Sequence, residues 1–301
     1  METNGHCGGT RIFLAAALGN NFIEAERDVG RRRIWQPADT RQEGFLHYLN
    51  AARESRKRLG DLPCFAKRCP QSAATFFRGN GISLDMGDDS VGKMIFGAHY
   101  YCNVCWSTPG SEGPLLHGVY PSVRMPATAV DFFRACHGHP VARLETVGHG
   151  TVFMTHWDGP SYDLDMLHAV FEIETTLEPD PGRPDLVFPM IKCIRQFEIP
   201  RFAGISTVDG AGVRCELGRI IHRVQLRLSP DGYKNGADEP VLRLNGAGSG
   251  RRAASSQPHV FDKAPLFLWS RRDGVELPML IAKLDRDVWQ DPCSLKKPVP
   301  A

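Results

Sequence analysis

Two groups of residues in this sequence could do chemistry, and the first is the run from His99 to Cys105. A CxxC pair, Cys102 and Cys105, follows a histidine there. Thiolates and imidazole are preferred zinc ligands, but a structural zinc site needs four, and no second CxxC or HxxxH pair accompanies this one. The surrounding KMIFGAHYYCNVCW favours a buried strand in which cysteine is a small apolar residue. We therefore expect core thiols, and neither a metal nor a cofactor.

The second group is the basic pair Arg251-Arg252, which lies within NGAGSGRRAASSQP. An exposed arginine followed by small residues suits the specificity pocket of a trypsin-like protease. A solvated basic pair in a loop is the alternative interpretation. No Ser-His-Asp order, P-loop or paired-carboxylate motif is present, and His137, His139 and His149 are interpreted as turn and strand residues. The residues alone therefore give no indication of an enzyme.

The bulk composition is that of a soluble globular protein. The chain has 301 residues, of which 42% are hydrophobic and 23% charged, with a formal net charge of +2. This charge gives no reason to expect nucleic acid. No apolar run approaches the roughly 18 residues of a membrane span, and Ile12 to Leu18 is short for a signal peptide. Nine cysteines, an odd number, favour free thiols and an intracellular location, with secretion as the alternative.

Helical patterns come first along the chain and strand patterns follow. Residues 11–33 suggest one or two helices with a break at Gly19-Asn20, and residues 41–60 form an amphipathic helix stopped by Gly60. From Met94 onward, strands are predicted in MIFGAHYYCNVCW, two or three times in residues 121–147, in GTVFMTHW, in KCIRQFEI and in a C-terminal hairpin. SYDLDMLHAVFEIETTLE is predicted as a helix. This order indicates an α+β fold with one domain over 1–301, mainly helical in 1–90 and mainly β in 94–287.

Several segments, taken in their shared order, resemble the serpins, the serine-protease inhibitor superfamily. They are GAHYYCNVCW (97–106), the strand-rich run 123–157, EIPRF (198–202), IHRVQLRLSPDG (221–232) and FDKAPLFLW…ELPMLIAKL (261–284). The resemblance implies N-terminal helices packed on a large mixed or antiparallel sheet, with smaller sheets and an exposed reactive-centre loop at 233–258. It places Trp106 on the family's breach tryptophan and His222 on its buried shutter histidine.

The sequence also departs from the family pattern. Ala264 is an extra residue, and Ala282 stands where the family usually has glycine. The chain is several dozen residues shorter than usual, so we expect the first helix and strand of the family to be missing. The helix that lies across the large sheet is also expected to be absent, because Ile82–Met86 runs almost at once into the next strand. One sheet face would then be less covered, which is a liability for docking or aggregation.

The hinge of the implied reactive loop carries the strongest functional signal. In inhibitory serpins the cut loop inserts as a new strand, which requires small, uncharged side chains at alternate positions. This hinge reads Pro230, Asp231, Gly232, Tyr233, and then Asp238, Glu239 and Pro240. A bulky ring, carboxylates and a proline all oppose burial in a central strand. A substrate-like or non-inhibitory loop is therefore expected, and inhibition and a non-inhibitory binding module both stay open.

The bait position and the partners follow from the same resemblance. Counting from Phe261 places the scissile bond at Arg252-Ala253, whereas counting from Gly232 places it near Gly246. The expected partner is a trypsin-like serine protease, with a cysteine protease or another loop-binding protein as alternatives, and the protein is expected to be a monomer. A basic group formed by Arg53, Arg56, Lys57 and Arg58 could bind a sulfated polyanion, against the alternative of a solvated helical face.

Overall fold

Three β-sheets and four α-helices make up the part of the chain that the structure describes. This computed structural model describes residues 9–30, 34–55, 59, 62–82, 92–148, 150–159, 162–182, 184–230 and 257–292. The helices are α1 (Ala15–Asp28), α2 (Thr40–Ser55), α3 (Pro70–Gly79) and α4 (Asp163–Thr175). One large cluster of buried apolar side chains extends from Ile12 to Trp289 and joins the three sheets. The α+β class predicted from the sequence is confirmed.

The largest sheet has seven strands, and every neighbouring pair is antiparallel. Its order is β1 (Arg11–Phe13), β16 (Leu280–Leu284), β15 (Leu266–Arg271), β8 (Gly150–His156), β7 (Val141–Thr146), β6 (Asp131–Arg134) and β9 (Glu178–Pro179). The C-terminal hairpin β15–β16, which the sequence predicted, supplies its second and third strands. Phe267 and Trp269 of β15 are fully buried, so this sheet lies in the core of the molecule.

The other two sheets meet the ends of the loop that was predicted at 233–258. The four-stranded sheet has the order β14 (His259–Val260), β10 (Leu186–Pro189), β5 (Ser122–Met125) and β4 (Ser111–Glu112). The five-stranded sheet has the order β11 (Ile191–Glu198), β13 (Arg214–Leu228), β3 (Met94–Asn103) and β2 (Cys64–Lys67), with β12 (Ser206–Val208) paired to β13. The long strand β13 precedes the loop and β14 follows it, so the two ends of the loop belong to different sheets.

The N-terminal segment differs from its predicted form in two ways. Helix α1 is continuous through Gly19 and Asn20, both of which are buried, so the predicted break is wrong. The helix persists because its apolar residues pack into the core, which outweighs the poor helix propensity of glycine and asparagine. Residues 11–13, which were included in the predicted helical segment, form the short strand β1, where Ile12 lies opposite Ala282 of β16.

The helix that was expected to be absent would follow Ile82–Met86, and residues 83–91 lie outside the described residues, so that expectation stays a prediction. Helix α3 precedes this segment: it lies between β2 and β3 in the chain and starts directly after Cys69 with Pro70 in its first turn. Proline suits that position because its missing N–H would have no partner there. Ala73 and Phe77 of α3 pack on Ile95 of β3 and Ile221 of β13, so part of the sheet face is covered.

Candidate functional site

The candidate site is the line along which β3 and β13 pair, which we call the seam. The two strands run parallel from Met94 opposite Leu217 to Asn103 opposite Arg227. The remaining pairings in this sheet, of β13 with β11 and β12 and of β3 with β2, are antiparallel. Parallel pairing is slightly less stable per residue than antiparallel pairing. The seam is therefore the weakest line of backbone pairing in the sheet.

The loop begins at the end of the seam. Strand β13 ends at Leu228, and the last described residue before the loop is Pro230, whose carbonyl accepts a hydrogen bond of 2.9 Å from the Gly110 amide. The chain is described again from Gln257. The predicted hinge residues Asp231, Gly232 and Tyr233, the predicted bond Arg252-Ala253 and the alternative near Gly246 lie outside the described residues, so these assignments stay predictions.

Trp106 stabilises the end of the seam from which the loop starts. Its side chain is buried, and its Nε1 donates a hydrogen bond of 2.8 Å to the carbonyl of Ser229. The ring also meets Phe188 of the four-stranded sheet edge to face, with centroids 5.8 Å apart. Trp106 follows β3 and Ser229 follows β13, so this contact holds together the two chain segments that flank the loop entrance. The resemblance had singled out Trp106, and the structure brings it to this position.

His222 lies in the middle of the seam on the side that faces α1. Its Nε2 is 3.2 Å from Oδ1 of Asn21, and Nδ2 of Asn21 donates to the carbonyls of Phe65, at 2.9 Å, and Gly97, at 2.8 Å. Because these two bonds fix the amide of Asn21, Oδ1 accepts the hydrogen of Nε2. Burial lowers the pKa of His222 to about 3, so the ring is neutral. One asparagine of α1 thus ties together β2, β3 and β13.

Sequence reasoning did not assign a role to Asn21. The available signal was an asparagine in a helix whose neighbours are almost all apolar, because a fully buried amide needs hydrogen-bond partners outside its own helix. The same signal was present for His222, where the resemblance had already indicated burial. The contact between the two residues spans 201 positions of sequence and could not be inferred from local pattern.

Helix α3 closes the seam from the opposite face. A side chain at Gly97 would have its Cβ only 2.5 Å from Cε1 of Phe77, so glycine lets the ring lie directly on β3. Phe77 also belongs to the cluster that contains Ile95 of β3 and Ile221 of β13. Since Gly97 and Ile221 are opposite each other, the apolar contact of α3 bridges the two strands. The polar contacts of Asn21 on one face and the apolar contacts of Phe77 on the other therefore hold β3 and β13 together at the same level of the seam. We call these contacts the two clamps.

The residues predicted to form a polyanion site are only partly described. Arg53 lies at the end of α2, where its guanidinium pairs with the carboxylate of Glu26 on α1. The same carboxylate accepts a hydrogen bond of 3.1 Å from Nε1 of Trp35. Arg53 is thus engaged in holding α2 against α1. Arg56, Lys57 and Arg58 lie outside the described residues, and the polyanion site stays a prediction.

The CxxC pair is not an assembled metal centre in the described structure. Cys102 is buried in the core, and burial raises the pKa of its thiol to about 12, whereas Cys105 is half-buried. Both are free thiols. Within the described ranges, no three His, Cys, Asp or Glu residues are disposed to hold a metal ion. None of the described helices is long and apolar enough to cross a membrane.

Comparison with known proteins identifies the fold. No protein-family model and no curated protein sequence matches the chain. Among solved structures, the chain is 13% identical to Arabidopsis AtSerpin1 in its native stressed conformation, with a TM-score of 0.52 over 93% of this chain and 92% of that one. It is 9% identical to thyroxine-binding globulin in complex with thyroxine, with a TM-score of 0.54 over 92% of both chains. For mouse protein-Z dependent protease inhibitor, the values are 10% and 0.50 over 92% and 90%.

The chain therefore has the serpin fold. The resemblance carried by its sequence segments is confirmed at this level. At 9% to 13% identity the likeness establishes the fold and leaves the activity to be argued from the site.

Proposed function

We propose that this protein presents the segment between β13 and β14 to a trypsin-like serine protease as a reactive loop. The observation that carries the proposal is the parallel seam between β3 and β13, with the loop starting at the end of β13. The protein contributes no catalytic residue in this scheme. The nucleophile that attacks the bait bond belongs to the protease.

The seam provides a physical reason for a change after cleavage. A strand that reverses direction at the end of β13 and enters the seam would run antiparallel to both β13 and β3. One parallel pairing would be exchanged for two antiparallel pairings, with more backbone hydrogen bonds in total. The five-stranded sheet with a closed seam would then be the strained, uncleaved state, and loop insertion would release that strain.

The fold alone does not distinguish inhibition from another binding role. Of the three similar proteins, the mouse protein is named for protease inhibition, whereas the globulin is named for binding thyroxine. The distinction must therefore come from the loop and the seam of this chain. Sequence reasoning favours slow or incomplete insertion, because Tyr233, Asp238 and Pro240 are poorly suited to a buried central strand.

The two clamps on the seam favour the second candidate, a non-inhibitory module that binds a partner through its loop. Opening the seam would separate His222 on β13 from the Asn21 that is bonded to Gly97 on β3. It would also split the apolar cluster that α3 forms with Ile95 and Ile221. A protease that cuts the loop would deacylate before a slow insertion could trap it, and the protein would behave as a substrate.

Limited cleavage of the full chain by trypsin tests both candidates. We expect a cut at Arg252-Ala253 that is lost in Arg252→Gln and retained in the neighbouring control Arg251→Gln, and mass spectrometry of the fragments assigns the bond because Lys234 and Arg243 lie in the same segment. A covalent complex that survives SDS, together with a large rise in melting temperature after cleavage, would establish the inhibitor. Clean cleavage with an unchanged melting temperature would establish the non-inhibitory module. Resistance of this segment to proteases would overturn loop presentation altogether.

A further inference from the structure

We propose that protonation of three neighbouring histidines, His137, His139 and His156, releases strand β14 in mildly acidic solution. This strand follows the reactive loop and anchors its downstream end. The inference deepens the proposed function and rests on it, because the anchor determines how much of the chain is presented. The release itself is a property of the fold and can be measured without a protease.

The anchor downstream of the loop is small. Strand β14 has two residues, His259 and Val260, and pairs in parallel with β10. The backbone hydrogen bonds on this line run from the His259 amide to the Asp185 carbonyl, at 2.7 Å, and from the Phe261 amide to the Val187 carbonyl, at 2.8 Å. The side chain of Phe261 is fully buried and fixes the segment in the core. A pairing this short opens locally at a small cost in free energy, so the packing of Phe261 decides whether β14 stays in place.

His156 lies directly against this anchor. Its ring meets the ring of Phe261 edge to face, with centroids 5.0 Å apart and an interplanar angle of 89°. Nδ1 of His156 is buried and has no hydrogen-bond partner. Phe261 therefore helps to keep water from a nitrogen that would bind a proton in acid if it were solvated.

Two further imidazoles complete the cluster. The ring of His139 lies between the other two, with its centroid 5.6 Å from that of His137 and 6.1 Å from that of His156. The hydroxyl of Thr155 donates to the carbonyl of Pro140 at 2.9 Å, so it accepts the Nε2 hydrogen of His137, also at 2.9 Å. His137 then has only a lone pair at Nδ1, which is buried without a hydrogen-bond partner. The cluster is thus packed for neutral rings.

Charging the cluster is unfavourable while it stays packed. The titratable and charged groups that face His156 are His139 on the β6–β7 turn, Asp158 after β8, and Asp262 and Lys263 after β14. Burial and then His139 lower the pKa of His156, against the weaker opposing effect of Asp262. Burial and His139 also lower the pKa of His137. Below the ordinary pKa of 6.5, protons therefore favour a conformation in which these rings are solvated.

Release of β14 is the opening that solvates His156. When Phe261 leaves the core, His156 gains water and binds a proton, and the seven-stranded sheet keeps its pairing. The opening ends at Asp262, whose carbonyl accepts a hydrogen bond of 2.6 Å from Nε2 of His117. A protonated imidazole still donates from Nε2, so this bond persists in acid. The presented segment would therefore lengthen by residues 257–261 as the pH falls.

Amide hydrogen exchange of the full chain, followed residue by residue by NMR, measures the release. Because the opening takes up one proton, the protection factor of the Phe261 amide should fall about tenfold per pH unit just below pH 6.5. The Leu268 amide in β15 reports on the core and should lose clearly less protection. The Gly138 amide, which bonds to the Ala135 carbonyl at 3.0 Å, reports on the β6–β7 turn. Acid-dependent opening at Gly138 without opening at Phe261 would overturn the proposal.

Variants assign the release to the cluster. His156→Gln removes the ring that titrates against the anchor, so protection at Phe261 should become nearly independent of pH. His139→Gln changes an exposed ring that leaves the core packing intact, and it should reduce the fall. His168→Gln changes an exposed histidine of α4 outside the cluster and should leave the fall unchanged. The proposal fails if Phe261 loses no more protection than Leu268 in the wild type, or if both cluster variants lose as much as the wild type.

Failure of this proposal and failure of the proposed function have different signatures. Trypsin cleavage at neutral pH tests whether the loop is presented, whereas hydrogen exchange tests the anchor with no protease present. Resistance of the loop to trypsin would remove the proposed function and leave the exchange result standing. A cleavable loop with pH-independent exchange at Phe261 would do the reverse.

Discussion

The seven-stranded sheet has only antiparallel neighbours, whereas the five-stranded sheet has a parallel pair at its centre. In the first sheet, stability comes from apolar packing: Trp269 and Phe153 stack with centroids 5.1 Å apart, and Phe267 is fully buried. In the second, the seam depends on a few side chains that reach it from neighbouring elements. Asn21 and Phe77 contact it from its two faces, and Trp106 fastens its end.

This difference suggests that the two sheets have different tasks. The seven-stranded sheet is a scaffold that has no reason to change its pairing. In the five-stranded sheet, opening the seam would break the contacts made by Asn21, Phe77 and Trp106 and leave the rest of the core intact. Substitutions at those contacts should therefore affect stability more than matched substitutions elsewhere, and the following predictions rank that effect from largest to smallest.

Protonation of His222 should destabilise the protein in acid more than protonation of any exposed group. Its folded pKa of about 3 lies below the ordinary 6.5, so the unfolded chain binds a proton that the folded chain excludes. The contribution is fully present above pH 6.5 and is lost as pH falls toward 3, at about 1 kcal/mol per pH unit. Urea unfolding at several pH values measures it, with His222→Gln as the comparison.

The same measurement compares the two sheets. His156 ends β8 of the seven-stranded sheet and is only half-buried, whereas His222 is fully buried. Burial and the nearby His139 lower the pKa of His156, and Asp262 opposes this shift. His156→Gln should therefore flatten the pH dependence less than His222→Gln does. If the free energy of unfolding depends on pH equally in the wild type and in His222→Gln, His222 does not titrate as its burial requires.

Asn21→Leu should lower the free energy of unfolding by about 3 kcal/mol, because the carbonyls of Phe65 and Gly97 and the Nε2 hydrogen of His222 lose a buried partner. Chemical denaturation measures the loss. Glu24→Gln alters a partly exposed ion pair on the same helix and should change stability by less than about 0.5 kcal/mol. If Asn21→Leu lowers the free energy of unfolding no more than Glu24→Gln does, the hydrogen bonds of Asn21 do not stabilise the seam.

Gly97→Ala should cost about 2 kcal/mol, because the new methyl group would overlap the ring of Phe77. Adding Phe77→Leu should recover part of this loss, so a double-mutant cycle should give a coupling free energy of about 1 kcal/mol. The control is Gly79→Ala at the end of α3, the helix that carries Phe77. The added methyl group would have no atom within 4 Å, so the free energy of unfolding should stay the same or rise slightly. Strict additivity of the two substitutions would contradict the contact between α3 and β3.

Trp106→Phe should cost about 1 kcal/mol more than Trp289→Phe. Both tryptophans are buried, but Nε1 of Trp106 donates to Ser229 whereas Nε1 of Trp289 has no hydrogen-bond partner. The two substitutions remove similar volume, so their difference isolates one buried hydrogen bond. Equal losses of unfolding free energy would mean that this bond does not fasten the seam.

Local pattern predicted the elements better than it predicted their contacts. Residues 41–60 and 161–178 were assigned as helices, and α2 and α4 confirm both. The strand predictions from Met94 onward correspond to β3, β5, β6, β7, β8, β11, β15 and β16. Helix α3 was missed because its ten residues are short and lie among proline and glycine signals. The predicted break at Gly19-Asn20 was wrong because local propensity is a weak prior against tertiary packing.

The candidate site divides in the same way. Trp106 and His222 were indicated by resemblance and lie at the seam, whereas Asn21 and Phe77 were not singled out. The hinge and the bond Arg252-Ala253 remain sequence predictions. They specify the loop experiment above, and the described structure shows only the strands that hold the loop.

The sequence by itself determined which segments are strands and helices, since periodicity and turn residues are local properties of the chain. It also carried the resemblance that indicated a loop between two strands. Only the tertiary structure decided that β3 and β13 pair in parallel, and that Asn21 bonds to His222 across 201 positions. These contacts arise when the whole core packs at once, and no local pattern encodes which distant strand becomes a neighbour.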